Sequence, residues 1–321
     1  MEDNGGMVRA GADGTARYPL VSIVIPVFNQ LQFTKACLAS IAINTNYPAY
    51  EVIVVDNAST DGTGEYLAGL GSRVKVITNG ENLGFVQACN AGADLAAGDY
   101  VLFLNNDTQV QFGWLNPLVA FAQSTPDCGA VGCKLVYPDG KLQEAGSIVF
   151  SDGSAWNYGK GFDPGDPRFC FVREVDYCSA AALMIRKPLW DEIGGFDLRY
   201  APAYYEDNDH CFEVRRRGLK VYYHPKSVVV HCEGKTAGVD TGSGFKRYQV
   251  ENQAKFVEKW ADSLKGQYAN DPANVARASG RGTTGSVLFV DPFLPMMDRA
   301  SGSLRLFNIL KLMKQLGYHV T

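Results

Sequence analysis

Long apolar runs, paired cysteines and net charge are all scarce in this chain of 321 residues. The longest apolar runs, such as Val101-Leu102-Phe103-Leu104, are strand-length, far short of the roughly 20 residues that cross a bilayer, so no transmembrane span is expected. The start, Met1 to Tyr18, is polar and rich in glycine and alanine, and no apolar h-region of a secretory signal is legible in it. Eight cysteines are scattered with no CxxC pair, which points to a reduced, cytoplasmic protein. The stretches His210-Cys211, His224 and His231-Cys232 fit no tetrahedral zinc spacing. With 30 basic against 34 acidic residues there is no electrostatic footprint for nucleic acid. What remains is a globular composition, 46% hydrophobic and 20% charged, with room for two domains.

From Leu20 the pattern alternates between strand and helix. Val21 to Ile25 is a β-branched run stopped by Pro26, and Leu31, Thr34, Cys37, Leu38 and Ile41 recur at helical spacing. Glu51 to Val55 reads as a second strand, a buried one, and Val74 to Ile77 and Tyr100 to Leu104 read as a third and a fourth strand. Between the last two, Phe85, Ala88, Cys89, Gly92 and Ala96 mark a helix whose small residues imply close packing on a sheet. Strands and helices in this order imply an α/β fold with a mostly parallel central sheet. Right-handed crossovers then put the strand ends on one edge, where ligands bind in open α/β sheets. That edge carries Pro26-Val27-Phe28-Asn29, Asp56-Asn57 and Asn105-Asn106-Asp107.

The middle, residues 129–186, reads as short antiparallel excursions and loops beside the main sheet. Pro188 suits the first turn of a short helix, and Glu206 to Arg217 is a helix with acids at its start and arginines at its end, closed by Gly218. Val221 to Tyr223 and Val228 to His231 read as two further strands. The expected organisation is a flexible leader over 1–18, a main domain over 19–265, a linker over 266–285, and, over 286–321, the truncated opening of a second Rossmann-like domain. Its signs are Val287 to Val290 as a buried strand and a helical stripe at Leu304, Phe307, Leu310, Leu312 and Met313.

Chemistry concentrates at the strand ends. Asp56 either accepts a base N–H from a nucleotide or caps the following turn. Asp107 either holds a hard divalent cation or closes a turn. Glu206 and Asp207 either cap a helix or supply a general base. His231, at a strand end, is either exposed or a metal ligand.

Taken together, these blocks resemble the family 2 glycosyltransferases of GT-A fold, including their rhamnosyltransferase-like members. The match rests on Val21 to Asn29, Val54 to Thr63, Asn79 with Glu81 to Phe85, Leu104 to Thr108, Gly194 to Asp197, and Tyr205 to Asp209, six blocks in order over roughly residues 20–260. The resemblance implies a nucleotide pocket lined by Pro26, Val27, Phe28 and Asn29, with Asp56 facing the base and Asn57, Asn82 and Asn90 nearby. Asn105-Asn106-Asp107 stands where the family has its DxD motif, so Asp107 would bind Mn²⁺ or Mg²⁺, with His231 as a further metal contact. Asp207 would be the catalytic base, supported by Glu206, and Gly194 to Asp197 would shape the acceptor side. The implied reaction is metal-dependent, inverting transfer from a nucleoside-diphosphate sugar to a hydroxyl of a glycan or lipid-linked glycan in polysaccharide biosynthesis. The implied location is the cytoplasm, with room for peripheral contact at the inner face of the membrane. Asn105 departs from the pattern: it offers an oxygen but no charge. It keeps open a catalytically weak nucleotide-sugar binding module. A nucleotidyltransferase lacks its Gly-rich basic loop here, and a processive synthase lacks its QxxRW motif and membrane spans. The last residues, from Val287, resemble the opening of a GT-B glycosyltransferase domain.

Overall fold

A computed structural model describes residues 9–10, 16–233, 247–281, 283, 285–292, 295–296 and 301–320. The main strands are β1 (Val21–Val27), β2 (Tyr50–Asp56), β3 (Lys75–Thr78), β4 (Tyr100–Leu104), β5 (Thr108–Val110), β6 (Cys128–Val136), β7 (Leu142–Glu144), β8 (Arg173–Glu174), β9 (Ala182–Arg186) and β10 (Lys220–His231). They form one sheet in the order β8-β10-β6-β9-β4-β1-β2-β3, with β5 paired to β10 and β7 to β6. β1, β2, β3 and β4 are mutually parallel, as the alternating pattern requires. β9 is antiparallel to both β4 and β6, which makes the sheet mixed.

The sheet is covered on both faces, and the sequence period of two decides which side chain faces which layer. Val24, Ile53 and Phe103 join one apolar cluster with Trp190 and Phe196. Their strand neighbours Ile23, Val54 and Leu102 join the other, with Trp114 and Leu118. The helices supplying these layers are α1 (Leu31–Asn44), α2 (Thr63–Ala68), α3 (Gly84–Asp94), α4 (Leu115–Ser124), α5 (Lys187–Ile193), α6 (Glu206–Arg216) and α7 (Arg247–Leu264).

The small residues of α3 do mark close packing. A Cβ on Gly92 would overlap Val24 Cγ1 and stand 3.0 Å from Val55 Cγ2. Alanine gains about 1 kcal/mol of helix propensity over glycine, while overpacking a filled core costs about 1–3 kcal/mol. Gly92→Ala is therefore expected to lose about 1 kcal/mol net in urea unfolding. A stabilised variant would mean that α3 can stand off the sheet.

Several expectations are corrected. β1 runs through Pro26 to Val27, because its ladder to β4 ends at Val24 and leaves no partner there for a proline N–H. The middle segment is an excursion only in part: Ser147–Val149 pairs antiparallel with Ala155–Asn157 outside the main sheet, but β6 lies inside it, parallel to β10 and buried from Cys128 to Val136. The two expected strands at 221–231 are one, β10, with an irregularity between His224 and Val228 that accommodates Pro225. Val287–Val290 is not a buried strand. Gly285–Val287 pairs in parallel with Tyr318–Val320, and Leu288 and Val290 are 71% and 88% exposed. A helix, Ser301–Gln315, connects that pair. Of the expected leader, Arg9–Ala10 pairs antiparallel with Ala16–Arg17, and residues 1–8 and 11–15 lie outside the described residues. Among the described residues no helix is long and apolar enough to cross a membrane.

Candidate active site

A cleft of about 340 Å³ opens at the carboxyl edge of β1, β2 and β4. Its walls include Pro26, Val27 and Phe28 at the end of β1, Asn57 after β2, Asn82 before α3, and Asn105, Asn106 and Asp107 after β4. Glu206 and Asp207 enter from the first turn of α6, and His231 from the end of β10. Positions far apart in the chain thus meet around one cavity.

Asn29, Asp56 and Asn90 are not among its walls. Asn29 is left-handed (φ 56°) and ties two turns together: its amide donates to Ser59 Oγ at 2.7 Å, and its Oδ1 accepts from the Thr60 amide at 2.7 Å. Asp56 is 2% exposed, and its Oδ1 accepts the Ser59 amide at 3.0 Å, which is the turn-capping role. Asn90 spends both polar atoms on the backbone of Phe196, donating to its carbonyl and accepting from its amide, each at 2.9 Å. Those two bonds tie the Gly194 to Asp197 loop to α3; of its four residues only Phe196 is buried, and none lines the cleft.

The β10–β5 ladder sets one end of the site. Its register places His231 opposite Thr108, and the Cys232 amide donates to the Asp107 carbonyl at 3.0 Å. His231 Nε2 therefore lies 3.2 Å from Asp107 Oδ1. Gln143 orients the ring. Its Nε2 donates to the Glu233 carboxylate at 3.1 Å, which turns its Oε1 toward His231 Nδ1, also at 3.1 Å. A carboxylate only accepts, so the amide orientation follows, and Nδ1 must carry the proton. In the neutral ring Nε2 then presents its lone pair to the cleft, the arrangement that second-shell partners impose on metal-binding histidines. Asn105 turns its Nδ2 to His231 Nε2 at 3.4 Å, and its Oδ1 is buried with no hydrogen-bond partner among the described residues. One carboxylate, one imidazole nitrogen and one orphaned carbonyl oxygen form a donor set that suits a divalent cation, with fewer charges than a two-acid site. Among the described residues no three His, Cys, Asp or Glu side chains cluster as a metal site, so the cation would need oxygens from elsewhere.

The other end is built on α6. Tyr204 and Tyr205, just before the helix, both hold positive φ (76° and 70°), a conformation that costs bulky residues of the order of 1–3 kcal/mol each. Packing overdetermines it. The buried Asn252 amide of α7 donates to the carbonyls of Tyr200, Ala203 and Tyr204 at 2.8, 2.9 and 3.0 Å, and the Tyr205 hydroxyl donates to the Gly153 carbonyl at 3.0 Å. The turn so held delivers Asp207 to the cleft. Asp207 Oδ2 accepts the Ala180 amide at 3.2 Å and Oδ1 the Asn208 amide at 2.8 Å. Burial raises the Asp207 carboxyl above its ordinary value, and these amides pull the other way. Burial, with the adjacent Asp207 charge, lifts Glu206 well above the carboxylate range, and its Oε2 has no partner among the described residues. Of the two, Asp207 is the better held anion and Glu206 the neutral neighbour. Asp209, in the same first turn, faces the core and binds Lys259, Trp260 and Tyr200. The acids of α6 thus divide between the cleft and the packing.

Sequence reasoning missed Gln143 and Glu144, which also line the cleft, and Asn252, which braces the turn. The available signal was a polar pair within an apolar neighbourhood. It means something only once both are known to be buried, at 2% and 1% exposure.

The family model described as glycosyl transferase family 2 matches residues 22–192. The O-antigen biosynthesis protein RfbC of Myxococcus xanthus is 30% identical over 232 residues, 69% of this chain. The N-acetylglucosaminyl-diphospho-decaprenol L-rhamnosyltransferase of Mycobacterium tuberculosis is 28% identical over 231 residues, 64% of this chain. This chain spans 18% of the first relative's length and 74% of the second's. Among solved structures, GalNAc-T7 with UDP, GalNAc and Mn²⁺ superposes with a TM-score of 0.60 at 19% identity, over 78% of this chain and 51% of that one, a likeness of fold.

Proposed function

Because this chain belongs to glycosyltransferase family 2, we propose that its cleft transfers a sugar from a nucleoside-diphosphate donor to a hydroxyl of a glycan or lipid-linked glycan acceptor, with inversion at the anomeric carbon. The observation that carries this reading is the meeting of Asp107 and His231 with Asp207 around one cavity. Polysaccharide synthesis is the process suggested by RfbC, and a lipid-diphosphate acceptor is suggested by the rhamnosyltransferase's name.

In this reading Pro26, Val27, Phe28, Asn57 and Asn82 border the nucleotide. Asp107, His231 Nε2 and Asn105 Oδ1 would hold Mn²⁺ or Mg²⁺ together with the donor's own phosphate oxygens. When bound, such a cation neutralises charge on a departing diphosphate. Asp207 takes the proton of the acceptor hydroxyl as that oxygen bonds to the anomeric carbon and the bond to the diphosphate breaks on the opposite face. A carboxylate is a weak base for a free hydroxyl, so alignment of the two substrates must supply much of the rate. A binding module without turnover would have no use for a base held by two amides on a strained turn. A lipid-linked acceptor would bring the protein to the inner face of the membrane from the cytoplasm. We also read residues 286–321 as the opening of a second, Rossmann-like unit of the GT-B kind.

Thermal-shift screening of UDP-, GDP-, dTDP- and CMP-sugars tests the reading. Ligand binding raises the melting temperature by mass action. One donor class should raise it by several degrees, and Mn²⁺ should enlarge the shift. No shift with any donor class would remove the proposal.

A further inference from the structure

The Asp207 side of the cleft holds a carboxyl that the reaction above does not use. Glu144, at the end of β7, is 1% exposed and lines the cavity. Its Oε1 accepts the Ser179 amide at 3.0 Å, and the next amide, Ala180, donates to Asp207 Oδ2 at 3.2 Å. Consecutive amides therefore anchor the two carboxyls side by side. Neighbouring carboxyls out of water cannot both stay ionised, so one keeps a proton. Asp207 accepts two amides, while Glu144 has one amide and the weaker Ser147 hydroxyl and is repelled by Asp207 and Glu233, which assigns the charge to Asp207 and the proton to Glu144. The other oxygen of Glu144, Oε2, is buried and has no hydrogen-bond partner among the described residues.

The groups facing Glu144 reinforce that assignment. Asp207 and Glu233 repel its charge, and the Ser147 hydroxyl partly relieves it. Cys133 of β6, Cys178, Cys211 of α6, Tyr177 and Tyr223 of β10 also feel it, and none of these is a cation. Burial first, and then the Asp207 and Glu233 charges, push the Glu144 carboxyl up to about 8 against the pull of the Ser179 amide and the Ser147 hydroxyl.

A buried acid with an unused oxygen beside the base calls for a ligand acceptor atom. We propose that Glu144 works in its neutral form, its Oε2–H donating a hydrogen bond to a hydroxyl of the acceptor sugar held beside Asp207. This rests on the glycosyltransferase reading above, deepens it on the acceptor side, and involves no bond making or breaking at Glu144.

The test is calorimetric binding of farnesyl-diphospho-N-acetylglucosamine to the full chain, as wild type, E144Q and E144L, with melting temperatures as the folding control. Glutamine keeps a donor and leucine does not. E144Q should bind within about threefold of wild type at pH 7, and E144L about tenfold more weakly. Wild-type affinity should fall as pH rises past about 8, where Glu144 loses its proton, and E144Q should show no such fall. Equal binding by E144L and wild type, including absence of binding by both, overturns the inference, as does an alkaline fall that persists in E144Q. Should E144L fail to fold, the comparison of pH profiles between wild type and E144Q decides alone. Donor thermal shifts on the same proteins keep the two levels apart. Donor binding that persists while the acceptor result fails removes only Glu144's role, and absent donor binding in the wild type removes the reading beneath it.

Discussion

Asp207→Asn is expected to slow sugar transfer by about a thousandfold while leaving donor affinity within about twofold, since a positioned general base contributes about 10²–10⁴ in rate. Asparagine keeps the size of the side chain and an oxygen for one of the two amides that now hold it, so the strained turn and α6 should survive. What it loses is the ability to take a proton. The pH dependence has a definite sign. Burial raises the Asp207 carboxyl above its ordinary value. The wild-type rate should therefore climb with pH as that group ionises, along a limb displaced upward from that of an exposed aspartate. The residual rate of the variant should lack this limb. Single-turnover transfer and donor thermal shifts measure the two quantities separately. Parallel loss of binding and turnover would reassign Asp207 to structure.

Asp107→Asn is expected to show the opposite division. It removes the only carboxylate facing His231 Nε2 among the described residues and leaves a neutral group of the same shape. Donor affinity in Mn²⁺ should drop by about 10–100-fold, to the level that wild type shows in EDTA, while metal-free affinity stays the same. Mn²⁺ titration followed by electron paramagnetic resonance reads the metal directly, without turnover. Because Asn105 already brings no charge, the site has little reserve. One lost carboxylate should matter more here than in a site with two. A variant that keeps its Mn²⁺-dependent gain in donor affinity would place the cation elsewhere.

Much of this was legible before any coordinates. β-branched runs that alternate with 3.6-period stripes specify parallel strands and covering helices, because each strand must bury both faces. Polar clusters directly after three such runs mark the carboxyl edge, since chain direction alone puts those ends together. That reasoning places Pro26 to Phe28, Asn57 and Asn105 to Asp107 at the cleft with no knowledge of packing. It is weaker where such residues serve the scaffold: Asp56 Oδ1 accepts the Ser59 amide in its own turn, while Asn29 Oδ1 and both polar atoms of Asn90 bond backbone that is distant in the chain.

The sequence by itself determined the layered α/β scaffold, its family and the edge where ligands meet it, because those depend on periodicity and chain direction. Only the tertiary structure decided the rest. The β10–β5 register brings His231 to Asp107. The turn that leads into the antiparallel β9 brings the Ser179 and Ala180 amides to Glu144 and Asp207. The Asn252 amide holds the turn before α6. Each of these is a contact between distant segments, and burial is what turns ordinary carboxyls and amides there into groups with a charge state and a direction.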